Sequence, residues 1–249
     1  MAETLLTATD YFKPFPDPAD VFASDVDKHL EFLLPLASVD LSHLSPKWHG
    51  RVHFVQPVEP YEGIVGEETA AFHTELCRAN WIGYQVDDRS NYMFDADFRY
   101  FFKRKLESQP YRSREEQEQL DVINEHYRRV KKSYAERREH FRQYGAVHWF
   151  ANDEGQFEDD NRAKLVQDLG GMPGDGNWPA LDLFPLRWEE SHDEDGQKTL
   201  HPFPVIEGPG KFEFVGWMHS FAYADGCDCA LQLFYNPDSR IALTTFDWS

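Results

Sequence analysis

Cysteine is scarce in this chain: Cys77, Cys227 and Cys229 are the only three among 249 residues. So odd and sparse a set excludes a disulfide framework and fits reduced thiols in a cytoplasm. Long apolar runs are missing too. No stretch approaches the roughly 20 residues that a membrane span needs. Residues 1–10 show neither the basic nor the apolar segment of a secretion signal. A cytoplasmic protein that does not enter a membrane is the expectation. Positive charge is also short, with 25 Lys and Arg against 44 Asp and Glu, a formal charge of −19. So acidic a body repels phosphate backbones and anionic lipid heads, which argues against nucleic acid or membrane as the main partner. A basic protein is its natural counterpart.

The marked catalytic motifs are absent as well. Gly170-Gly171-Met172-Pro173-Gly174-Asp175-Gly176 is glycine-rich, but no Lys-Ser or Lys-Thr follows it, so it is not a nucleotide loop. There is no Gly-x-Ser-x-Gly elbow and no His-Glu-x-x-His. His73-Thr74-Glu75 matches the first half of zinc-deaminase chemistry, yet the Pro-Cys-x-x-Cys half is missing. No cofactor is expected.

What the chain has in quantity is aromatic side chains, 15 % of the residues. Much of the core must therefore be ring on ring, with polar tips needing partners. Asp17, Pro18 and the spacing of Val21, Phe22, Val26, Leu30 and Leu33 predict an N-terminal helix ending before Pro35. Residues 51–56 read as a strand, 67–79 as a helix, and 81–94 as two short strands around Asp87-Asp88-Arg89-Ser90. Asp95 is placed to cap a helix carrying Phe98, Phe101, Phe102 and Leu106 and broken by Pro110.

The next helix is the clearest element. Ser113 and Glu116 form a capping box. Leu120, Ile123, Tyr127, Val130, Tyr134, Phe141 and Tyr144 trace a stripe that only Arg137 interrupts, and Gly145 is placed to end it. A strand is predicted over 146–151, a short helix from about Asn161 to Gly170, and an irregular packed segment over 172–188. Strands follow over 211–221, 229–235 and 240–248, the last two joined by Asn236-Pro237-Asp238-Ser239. Helices in the middle and strands at the end predict one α+β domain over 1–249 with a mainly antiparallel sheet. Its helical module spans about 95–145 and its strand-rich part about 203–249.

Charge is uneven. Residues 99–142 hold 13 basic against 8 acidic groups, a formal +5, which leaves −24 on the remainder. The acidic residues Asp153, Glu154, Glu158, Asp159 and Asp160 lack the order of a calcium loop and read as a solvated acidic surface. With Glu189, Glu190 and the aromatic anchors Trp178 and Trp188 they form the candidate partner-binding set. These features point to an inhibitor of toxin-immunity type that neutralises a basic protein through charge and aromatic contacts. The alternatives are a metal-assisted hydrolase with a dispersed site and a scaffolding subunit acting through the long helix. Catalytic candidates are His49, His53, His73 and Glu75. Metal-ligand candidates are His219, Asp225, Cys227 and Cys229, which offer hard and soft donors within eleven residues.

Overall fold

A computed structural model describes residues 2–60, 62–150, 152, 157, 159–174, 176–192, 196–226 and 229–248. Strand β1 (Glu3–Leu5) and strand β2 (Phe12–Pro14) open the chain. Asp17 does cap a turn, but only the 3-10 turn Pro18–Asp20. The predicted N-terminal helix is then reduced to α1 (Val26–Phe32), and its apolar continuation is strand β3 (Leu33–Asp40). Pro35 does not stop that strand, because it sits where the register with the next strand shifts, a bulge at which a missing N–H is tolerated. One helical turn, α2 (Leu41–Leu44), leads to β4 (Arg51–Pro57).

The helix expected over 67–79 is likewise a correction. A 3-10 segment, Glu67–Phe72, bends at Thr69 and gives way to β5 (Cys77–Arg78). Strands β6 (Trp81–Val86) and β7 (Tyr92–Met93) form the predicted pair. The cap of the following turn is Asp97 rather than Asp95, and α3 (Phe102–Glu107) follows it. Helix α4 (Arg114–Tyr144) has both halves of the Ser113–Glu116 capping box and ends on left-handed Gly145. The strand beyond it, β8 (Val147–His148), is two residues long. The helix expected from Asn161 is replaced by β9 (Arg162–Ala163) and β10 (Val166–Leu169). Five longer strands complete the chain: β11 (Leu186–His192), β12 (Lys198–Pro204), β13 (Glu213–His219), β14 (Cys229–Asn236) and β15 (Ile241–Trp248).

Every pairing between two of these strands is antiparallel, and only an isolated bridge of Phe22 to Tyr92 among the described residues is parallel, so the fold is α+β as the order of elements implies. The main sheet runs β1-β10-β13-β14-β15-β6-β5, with β7 also on β6. Strands β2-β3-β4 make a second sheet, and β11 with β12 makes a separate hairpin.

The main sheet divides the core because side chains alternate across a strand. Along β14, Cys229, Leu231, Leu233 and Tyr235 face the larger apolar cluster, which includes β3, β4, α3 and α4. Phe234 faces the smaller one with Trp81, Trp178, Phe184 and Phe203. Buried on both faces, β14 is the middle strand of the main sheet.

Helix α4 lies along the larger cluster through Leu120, Ile123, Tyr127, Val130 and Tyr134, while Tyr144 is exposed. Arg137 breaks the apolar stripe yet is itself buried. Its guanidinium donates to the backbone oxygens of His148, Ala222 and Trp149 and lies over the rings of Phe157 and Phe221.

Candidate functional site

The candidate site begins where β4 runs out. The N–H of Val58 bonds to the oxygen of Phe32, and the chain then turns Glu59 inward. The Glu59 carboxylate is buried and accepts three hydrogen bonds. They come from the backbone N–H groups of Phe102 (2.7 Å) and Lys103 (2.8 Å) and from the Tyr127 hydroxyl (2.7 Å). One side chain thus satisfies the open N-terminus of α3 and ties it to α4. Burial drives the Glu59 carboxyl above its ordinary range, and the donors from Tyr127, Lys103 and Phe102 pull against that rise. Beside it, burial draws the Lys103 ammonium down, but Glu107 and Glu31 outweigh burial and hold it above its usual value.

Above Glu59, a cavity of about 640 Å³ opens between the 3-10 segment 67–72, α3 and the first half of α4. Its apolar wall consists of Ile64, Phe102, Leu106, Val122 and Ile123. Seven glutamates line it against one lysine: Glu59, Glu62, Glu67, Glu68, Glu115, Glu116 and Glu118 with Lys105. The lysine is already engaged, donating to the backbone oxygen of Glu68 and lying over the Phe102 ring. Glu116 caps α4 and Glu118 pairs with Arg114. Glu62, Glu68 and Glu115 stand exposed at the rim. An apolar cleft with negative edges suits an aliphatic or aromatic stem that ends in a cation, the shape of an Arg or Lys side chain.

The catalytic candidates do not assemble. His49 is exposed in the turn before β4. His53 is 1 % exposed, with Nδ1 2.7 Å from Ser38 Oγ and Nε2 2.9 Å from the oxygen of Ser90, so both ring nitrogens serve the fold. Burial lowers its pKa to about 4. His73 lies beyond the 3-10 segment with Nε2 on the oxygen of Gly66, Glu75 is exposed, and Cys77 is in β5. The helix predicted over 67–79 therefore does not carry His73, Glu75 and Cys77 together. Burial pushes the Cys77 thiol up to about 12.

The sheet itself separates His219 from Cys229. His219 pairs with Ala230, so Cys229, one residue away, points to the opposite face, where its thiol meets Gln56 Oε1 at 3.2 Å. His219 lies between Trp149 and Trp217. Asp225 is exposed and its N–H bonds to Ser133 Oγ. Cys227 lies outside the described residues. Among the described residues no three His, Cys, Asp or Glu side chains converge on a metal position.

Of the partner-binding candidates, Asp153, Glu154 and Glu158 lie outside the described residues, as does the side chain of Asp159; Asp160 is exposed. Trp178 is a correction. It is 1 % exposed and packs on Phe184 and Phe234, so it cannot anchor a partner. Trp188 is 50 % exposed on β11. Glu189 beside it pairs with Arg187, and Glu190 pairs with Lys198 at 2.9 Å. The residues that sequence reading did not bring together are those of the cleft. Their signal was the density of acids over 59–68 and 115–118, on either side of the Phe-rich stretch 98–102.

Comparison with known proteins returns no matching family model, no matching curated protein and no matching solved structure. Among the described residues no helix is long and apolar enough to cross a membrane.

Proposed function

We propose that this protein is an inhibitor of toxin-immunity type that binds and neutralises a basic protein. The observation that carries the reading is the cleft over Glu59, where an apolar wall is edged by carboxylates and its one lysine is spent internally. Such a site takes Arg or Lys side chains of a partner, burying their stems on Leu106 and Val122 and leaving their charges to the rim. The charge of −19 adds long-range attraction, which speeds encounter with a cationic partner and weakens with salt. Trp188, with Glu190 beside it, is a second contact of the kind that anchors interfaces.

The test is capture from the source cell by the intact protein and by a variant with Glu62, Glu67, Glu68 and Glu115 changed to Gln. Glu116 stays, because it caps α4. The expected result is a basic protein retained at low salt, released as salt rises, and at least tenfold less retained by the variant. The reading falls if neither salt condition retains a protein, or if the variant captures as well as the parent.

A further inference from the structure

The β11–β12 hairpin carries a serine and a histidine outside the cleft. Ser191 Oγ lies 2.7 Å from His201 Nε2, and His201 Nδ1 lies 2.9 Å from the backbone oxygen of Pro173. A backbone oxygen only accepts, so Nδ1 carries the ring proton. In the neutral imidazole Nε2 is then a bare lone pair, and Ser191 donates its hydroxyl proton to it. This is the order of nucleophile, base and orienting group that activates a serine. Here a carbonyl dipole fixes the tautomer in place of a carboxylate.

The pair also stands beside a cavity. Residues two apart on a strand share a face, so Ser191 shares one with Glu189, and His201 shares one with Phe203. Glu189 and Phe203 line a cavity of about 370 Å³. Gly170, Gly171 and Met172 form another part of its wall, immediately before the Pro173 that holds His201. Ser191, His201 and Pro173 do not themselves form that wall; the dyad stands next to the cavity along the hairpin, His201 being paired across the strands with Glu189 and Ser191 lying two residues from Glu189.

We propose that Ser191 is a nucleophile toward small carboxylic esters, with His201 its general base and the Pro173 carbonyl the orienting group. His201 Nε2 takes the hydroxyl proton as Oγ bonds to the ester carbonyl carbon. The adduct collapses with cleavage of the ester C–O bond, and the alcohol leaves with the proton held on Nε2. Water, deprotonated by the same nitrogen, then releases the carboxylic acid and restores Ser191. One ester and one water give one acid and one alcohol. This inference stands apart from the inhibitor reading, since it uses neither the cleft nor a protein partner.

The test is reaction of the full-length protein with a fluorophosphonate probe, located by peptide mass spectrometry, and with p-nitrophenyl acetate. Expected are a label on Ser191, none at this position in Ser191→Ala, and labelling at least tenfold slower in His201→Gln. On the unaltered protein the rate should rise with pH through one deprotonation and then level off, a readout that does not depend on any variant folding. No label on Ser191, an unchanged rate in His201→Gln, or a rate that climbs with hydroxide without a plateau would each overturn the proposal.

Discussion

Acidification should unfold this protein partly through His53, and the size of that effect can be worked out. Burial lowers the folded-state pKa to about 4, against an ordinary value of 6.5. A histidine depressed in this way stays neutral in the native state while the unfolded chain takes up a proton. Its neutral form therefore contributes stability above pH 6.5, and that contribution drains away as pH falls from 6.5 to about 4. Two and a half pH units at about 1.4 kcal/mol each amount to about 3 kcal/mol, an upper bound for one group. Arg51 adds to the depression, while the bond to the oxygen of Ser90 opposes it. Glu59 has the opposite sign: raised by burial, it destabilises the fold as pH climbs above its unfolded value, so acid relieves it. The net pH dependence of the parent mixes these groups. The difference between parent and His53→Gln isolates one of them. Urea denaturation of both at pH 7, 6, 5 and 4.5 should show the parent losing about 2–3 kcal/mol more than the variant over that range. Parallel curves would refute the reasoning, because they would mean that the ring takes up a proton as readily folded as unfolded.

Two further outcomes follow from the buried polar contacts. Tyr127→Phe removes one of three donors to a buried carboxylate and should cost about 1–3 kcal/mol in urea denaturation, with the loss largest at high pH, where Glu59 is ionised. Arg137→Met leaves backbone oxygens at His148, Trp149 and Ala222 without their donor and should cost about 2–4 kcal/mol, measured by the same method. A cost below about 0.5 kcal/mol would place the guanidinium in solvent.

The sequence was legible where local chemistry and tertiary packing agree. Helix α4 is the best case: its capping box, its stripe and Gly145 are all short-range signals, and packing only confirms them. The β14–β15 hairpin is another, with its turn one residue later than predicted: Asn236 pairs with Ile241 and its side chain accepts from the N–H groups of Asp238 and Ser239 in the turn 237–240. Reading failed where a pattern with helical spacing was recruited by a sheet. Leu33 to Val39 is buried on both faces of β3, so no alternation marked it as a strand. Leu165, Val166 and Leu169 fit a helical repeat but are claimed by β1 and β13. At the site, the exposed acids could be counted from composition. That Glu59 would turn inward to cap α3 depended on a contact 43 residues away, and no local signal carries that. Trp178 and Trp188 are ten residues apart, yet only Trp178 finds a cover, from side chains distant in sequence such as Phe234.

Arg137 fastens the far half of α4 to two other segments, its acceptors among the described residues all being main-chain oxygens. Side chains at 148, 149 and 222 can therefore drift in evolution without loosening that clamp, provided the strand and turn keep their path. The residue that cannot drift is the arginine. A distant relative with a helix of this length should keep one basic fork in mid-stripe even where the strand it holds has become unrecognisable.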